Sequence, residues 1–454
     1  MLKAVSLSVA LSLVASVGHA QLPPVRQLGP VTAVAKEPLG AISGVRQLPD
    51  GNVIVNDIVG RRVLMFDSTL SNATVIADTT SATSNAYGVN PGGIIAFHGD
   101  STLFVDPASM SMLLIDPSGK LGRVMSAPRD ARFLVGGPFG TPGFDPQGRL
   151  VYRAPPNFGA FAAPRQASGA AGRLPQFPTP PDSAALVRYD LATRKVDTVT
   201  WFKTPKINLS ITQTPEGGVR VTTTMNPLPQ GDDWALLPDG TVALVRGRDY
   251  HVDWLRPDGS ISSSPKIPFN WERLSDEQKV AFIDSARVAI EKQRASGQLG
   301  GFGFGPQVVT RETGTAQRAP GGTSSAPAPA PNAQPGTMTV TSGGNTSVTT
   351  VGAGGTAAGQ LPPVTMVSPS ELPDYKPAFT PGSTRADADG NLWVRTSENV
   401  DARPVYDVIN RKGELIDRVQ LPANRALIGF GAGGIAYLGV RDGNTARLER
   451  ARIK

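Results

Sequence analysis

The chain repeats one short phrase. Asp50 to Asp67 reads DGNVIVNDIVGRRVLMFD: a turn dipeptide, an apolar run of β-type residues, a polar break, and a second apolar run ending in another turn residue. A fixed period changes how every element is read, so recurrence of such a phrase constrains the fold more than any single segment does. Aligned on the turn, it returns at Gly99-Asp100, Gln147-Gly148, Asp239-Gly240, Asp389-Gly390 and Gly433-Gly434, followed by STLFV, RLVY, TVALV, NLWV and IAYLGV. A second run follows in each copy: VLMFD, MLLIDPSG, LVRYD, VDWLRPDG, VYDVIN and ARLERA. Successive turns lie 49, 48, 92, 150 and 44 residues apart, counted from Gly51 through Asp100, Gly148, Gly240 and Gly390 to Gly434.

Apolar runs of four to six residues bounded by Gly, Pro and Asp are strands rather than helices. The composition agrees: 50 glycines and 41 prolines in 454 residues, one in five, favour many turns over long helices. The short spacings suit a four-stranded blade, and the long ones contain visible insertions. The chain is therefore expected to be all-β, a six-bladed β-propeller of four-stranded blades. After Gly434 only 20 residues remain, enough for two strands. Val25 to Ala35, VRQLGPVTAVA, is expected to supply the missing outer strand and close the ring, which removes free sheet edges. VIVNDIVGRRVLMFD resembles an NHL-type repeat, and residues 25 to 454, insertions apart, resemble the exported six-bladed β-propellers of bacteria. That resemblance implies a fold and no activity, because the architecture serves binding platforms and enzymes alike.

Three insertions interrupt the repeat: 154–183 between the two runs of the third copy, 205–233 after it, and 268–377 after the fourth. If the Asp-Gly turns join strands A and B, all three emerge on the opposite face, called the top, where loops can cover a central pocket. INLSITQ and GVRVTTT around Pro215-Glu216-Gly217 read as an extra hairpin. A helix is expected at about 275–296: Ser275 and Gln278 have capping-box form, and Phe282, Ile283, Ala286, Ala289 and Ile290 make one apolar face. From 297 to about 360 the chain is Gly, Ser, Thr, Ala and Pro, too poor in apolar anchors to offset its conformational entropy. It is read as disordered, with TMTVT and SVTTV able to pair transiently.

Residues 1–20 have the form of a secretory signal: Lys3, an apolar stretch from Ala4 to Val17, and Gly18-His19-Ala20 before the cut. The protein is expected to be exported, to the periplasm or beyond, as residues 21–454. No later run is long and apolar enough to span a membrane. Cysteine is absent, which excludes a disulfide framework and a lipid-bearing cysteine. Without the signal the chain has 43 Lys and Arg against 37 Asp and Glu, a net +6. No dense basic run with interleaved aromatics accompanies it, so nucleic acid is not an expected partner.

Enzyme motifs are sparse. The mature chain has two histidines, His98 and His251, no His-Glu-x-x-His, no Gly-x-Ser-x-Gly and no phosphate loop. Asp249, His251 and Asp253 alternate and would share one strand face, opposite Tyr250, Val252 and Trp254. They read as a polar strand face, with a metal or acid-base site as the sharper option.

The alignment itself yields a second pattern. At or just after the end of strand B the copies carry Asn56-Asp57, Asp106, Arg153, Arg246, Arg395 and Arg441. Four arginines gathered at a funnel on the top face favour a carboxylate or phosphate ligand. The competing reading is solvated arginine paired with Asp57 and Asp106.

Among six-bladed propellers, calcium-dependent lactonases of the gluconolactonase type are the nearest enzymatic resemblance, with carboxylates and asparagines converging on a channel metal. This chain departs from them: AISGVRQL has no acid where they carry a glutamate, Glu37 lies outside the strand, and Asn157, Asn208 and Asn226 sit in insertions. The expectation is a monomeric binding module for an anionic small molecule or polymer at the top of the central channel, or for another protein on the top face, with no cofactor. The alternative is a lactonase or lyase with its site in the channel, for which calcium would be the cofactor.

Overall fold

The strands follow the repeat. In the first blade of the computed structural model, strands A (Ile42–Gln47), B (Val53–Asp57), C (Arg62–Phe66) and D (Ala73–Ala77) pair antiparallel in that order. The described residues are 22–129, 131–137, 140–155, 181–206, 208–213, 219–295, 308–312, 336–342, 345–351, 365–401, 403–443 and 445–454. The candidate signal thus lies outside them.

The second blade comprises Gly93–Ala96, Thr102–Asp106, Ser111–Ile115 and Leu121–Ser126; the third Gly143–Phe144, Leu150–Arg153, Ser183–Tyr189 and Val196–Lys203. The fourth has Asp233–Leu236, Val242–Arg246, His251–Leu255 and Ile261–Ser263; the fifth Arg385–Ala386, Leu392–Val400, Arg403–Ile409 and Leu415–Gln420. The sixth takes Arg425–Gly431, Ile435–Asp442 and Thr445–Arg452 from the end of the chain and Val31–Val34 from its beginning. This is the six-bladed propeller that the repeats predict.

Burial explains why strand B carries unbroken apolar runs. Val53–Asp57 and Thr102–Asp106 are buried at every residue, because each blade is covered on both faces by its neighbours. Side chains alternate between two seams: Val53 and Val55 pack toward the sixth blade, Ile54 toward the second. Six apolar clusters fill the six seams. Near the axis, small residues let the blades mesh. A Cβ added at Gly44 would stand 3.0 Å from Ile94 Cγ1, one at Gly143 3.0 Å from Leu236, and one at Gly429 2.8 Å from Val45. The recurrent turn glycines serve geometry: Gly51, Gly148, Gly240 and Gly390 all have φ between 77° and 88°, a region that disfavours side chains.

Ring closure differs from expectation in one respect. Val25 to Ala35 is not one strand but two, separated at Gly29-Pro30. Val31–Val34 closes the sixth blade antiparallel to Thr445–Arg452, as expected, while Val25–Gln27 adds a fifth, parallel strand to the fifth blade. Proline has no N–H to donate and fixed φ, so it breaks the run and redirects it. Arg26 ties this strap down through Asp417 at 2.6 Å and the Ile453 carbonyl at 2.8 Å.

The described parts of the second and third insertions form elements of their own, while most of the first lies outside the described residues. The hairpin forms from Asn208–Gln213 and Val219–Thr224, and Val308–Glu312 pairs with its second strand. Within 297–360, read as disordered throughout, Val308–Glu312, Gly336–Ser342 and Asn345–Val351 are strands, the last two paired with each other; the rest of the tract lies outside the described residues. The helix spans Asp276–Ala295, and its capping box is reciprocal: Gln278 N donates to Ser275 Oγ at 3.3 Å and Ser275 N to Gln278 Oε1 at 2.8 Å. Ile283 is buried with Leu228, Leu274, Val367 and Leu372, joining the second and third insertions. Ala289, assigned to the apolar face, is exposed. Lys279 takes a buried place instead, its ammonium 2.7 Å from Asp374.

Candidate functional site

Strand B of each blade rises to the top face and strand A descends from it, so the ends of B and the starts of A surround the same mouth. The insertions leave from that face too, after Arg153, Lys203 and Ser263.

The two acids of the aligned position are internal. Asp57 is fully buried and accepts N–H bonds from Gly40, Ala41 and Gly60 at 2.9 to 3.0 Å, with Arg62 at 3.1 Å. Asp106 caps its turn through Ala108 N at 3.0 Å, Ser109 N at 3.2 Å and Ser109 Oγ at 2.5 Å. Both hold the link from strand B to strand C. Asn56 likewise looks inward, donating to Ser43 Oγ at 2.6 Å and the Gly92 carbonyl at 2.7 Å.

The four arginines separate into different environments. Arg246 is closed off: Nη1 lies 2.8 Å from Asp232 and Nε 2.7 Å from Asp253. Burial lowers its pKa, but the two carboxylates outweigh that effect and raise it above the ordinary value. Of the four arginines it is the one already held by two carboxylates. Arg441, exposed on the sixth blade, makes one long bond to the Gly443 carbonyl at 3.4 Å. Arg395 is exposed, and among the described residues no carboxylate lies within ion-pair distance of it. It does not end strand B, which runs on to Val400.

Arg153 is the most perturbed. Its guanidinium stands 5.9 Å from the ring centroids of both Phe133 and Phe202. Burial pulls its pKa down to about 10, against the charge of Asp233.

Two further residues at this mouth escaped the sequence reading. Asp233 starts strand A of the fourth blade, is 3% exposed, and accepts from Thr384 N across the blade boundary at 2.8 Å and from Trp234 N at 2.9 Å. Burial raises its carboxyl above the ordinary range despite these bonds and the nearby Arg385 charge. Arg385 starts strand A of the fifth blade and gives one nitrogen to the Gly382 and Thr384 carbonyls at 3.1 and 2.8 Å. Register places Arg385 opposite Trp393, two residues before Arg395, so Arg385 and Arg395 share a sheet face, with Tyr406 opposite Arg395.

The histidine cluster forms as the alternation predicted, with Tyr250, Val252 and Trp254 buried on the other face. His251 Nδ1 is 2.7 Å from Asp249 and Nε2 3.3 Å from Asp253. Asp253 also accepts from Ser263 Oγ at 2.5 Å and from Arg246, so the cluster satisfies itself, as a polar strand face does. Burial pushes the Asp253 carboxyl up, but Ser263 and Arg246 prevail and hold it below its usual range.

Among the described residues the donors do not assemble a calcium site. Among the described residues no three His, Asp or Glu side chains are grouped to hold a cation. Asp57 and Asp106 are occupied by N–H donors, Glu37 pairs with Arg62 at 2.8 Å, and Asn226 Oδ1 accepts from Leu228 N.

No family model and no curated protein matches the sequence. Solved structures do resemble the fold. A gluconolactonase from Xanthomonas campestris is 9% identical, with 95% of this chain and 97% of that one covered at a TM-score of 0.35. The calcium-binding protein regucalcin from Agrobacterium tumefaciens is 12% identical, covering 94% and 97%, at 0.36. A catalytically inactive virginiamycin B lyase from Staphylococcus aureus is 9% identical, covering 94% and 98%, at 0.34. The likeness is one of fold.

Proposed function

We propose that the protein is an exported, monomeric binding module with NHL-like repeats that captures an anionic small molecule, a carboxylate or phosphate, on its top face. The binding sector lies over the third to fifth blades. One observation carries the reading: Arg385 and Arg395 share a sheet face beside Tyr406, and among the described residues neither has a carboxylate within ion-pair distance. Guanidinium groups without a carboxylate partner favour planar anions that accept two parallel hydrogen bonds.

The insertions emerge over the same sector, where they would restrict access to it. The lactonase or lyase alternative lacks a donor set among the described residues and is not preferred.

Thermal-shift titration with citrate, inorganic phosphate and sulfate tests the reading. Wild type should gain several degrees with at least one anion, Arg385→Gln and Arg395→Ala should lose most of that gain, and Arg441→Ala should keep it. Equal gains in all four proteins would refute the site.

A further inference from the structure

Strand A, the one nearest the axis, gives one apolar side chain in every blade to the seam with the preceding blade: Val45, Ile94, Phe144, Leu236, Ala386 and Phe430. All six are partly exposed, whereas the strand B residue paired with each is fully buried. Exposure therefore increases toward the axis, and these side chains open on the central channel. We propose that this apolar collar holds the body of the ligand whose charged end meets Arg385 and Arg395, so that the anion is amphipathic: a carboxylate or phosphate carrying a hydrocarbon chain. The inference rests on the anion-binding reading above and adds the class of ligand.

Glycine decides how the collar lies. Ile94 rests against Gly44 of the first blade, Leu236 against Gly143 of the third and Val45 against Gly429 of the sixth, so close that a Cβ on the glycine would stand 2.8 to 3.0 Å away. Each side chain thus lies along the wall, over the neighbouring strand, and not across the bore. The collar is stepped. Phe144, Leu236, Ala386 and Phe430 pair with the second residue after the turn glycine, while Val45 and Ile94 pair with the fourth residue after Gly51 and Asp100 and stand about 7 Å nearer the top.

The two guanidiniums belong to the strands that carry this wall. Arg385 immediately precedes Ala386, and Arg395 lies three residues beyond Leu392, the partner of Ala386, so the backbone sites of charge and collar are about 3 to 10 Å apart along the blade. A head group at the arginines points its substituent either out to solvent or down the channel, and only the second course removes apolar surface from water on both ligand and protein. Chain length is the natural readout, because each methylene fully buried is worth about fourfold in affinity.

Calorimetric titration with acetate, butyrate, hexanoate and octanoate, and with methyl and hexyl phosphate, tests the proposal at fixed pH and ionic strength. Affinity should rise along each series by up to about fourfold per methylene, and the heat capacity change of binding should grow more negative. Octanol, with the chain and no charge, should bind far more weakly than octanoate. Phe430→Ala and Leu236→Ala should at least halve the gain per methylene, while Arg395→Ala should weaken every carboxylate alike. Equal affinity at all chain lengths in wild type would overturn the proposal and leave the anion site standing, and this arm decides without any variant. An undiminished gain in folded collar variants, or octanol binding as tightly as octanoate, would overturn it too. Absence of binding by every anion would remove both readings.

Discussion

The first two blades and the third to fifth use the same position of the repeat for opposite purposes. In the first two an aspartate ends strand B and turns inward, where its oxygens hold the N–H groups of a short turn. In the third and fourth blades that position is arginine, while in the fifth Arg395 lies within a strand that continues upward. In the third blade an insertion replaces the loop that the aspartate would have tied down, whereas in the fourth the turn stays short and Asp232 holds its Gly247 N–H at 3.1 Å. A propeller tolerates this because its stability resides in the seams, which are filled in every blade, and not in the top turns. Where aspartate ends strand B its oxygens are taken up by the turn; where arginine stands instead, the position is the one that the anion-binding proposal uses.

The sharpest way to break this comparison is Asp57→Ala. It strips three N–H groups and Arg62 of their buried acceptor and should cost about 3 to 5 kcal/mol, read by denaturant unfolding, with anion-induced shifts retained in whatever folds. Next comes a pH effect in the seam between the fourth and fifth blades. Asp407 has its pKa raised to about 6, so its contribution to stability is fullest below the unfolded value near 4 and is lost as pH rises through 6. Asp407→Asn should flatten that decline, a difference of about 2 to 3 kcal/mol between pH 4 and 7. Asp106→Ala should cost about 1 to 2 kcal/mol, since its partners are nearer to solvent. Smallest of all, Arg395→Ala should change stability by no more than about 0.5 kcal/mol, while abolishing most of the anion response. A large stability loss there would mean that Arg395 is structural and that the two sectors do not differ as argued.

The fold was legible because its signals are local. Val53 to Val55 read as a strand from their own residues, and Gly51 marks the turn through its own φ. The split at Gly29-Pro30 was less legible, since the partner of Val25–Gln27 lies almost four hundred residues away. The candidate site was legible only as a set of positions. Whether an arginine is free depends on partners from other strands: Asp232 precedes strand A and Asp253 lies on strand C, and no spacing along strand B foretold that both close on Arg246. Asp233 and Arg385 were missed because their strands, of four and two residues, directly follow insertions and leave too little pattern to read.

The strap that joins the two ends of the repeat also sets an order of events. Val31 pairs with Ala451, so the ring cannot close until all the intervening blades exist. The entropy of so long a loop grows only with the logarithm of its length, and adjacent seams can form beforehand at short range. Closure is therefore a late docking of a few residues onto an assembled arc. Until then the outer edges of the fifth and sixth blades stand open to any other extended segment, and mistaken pairing would begin there.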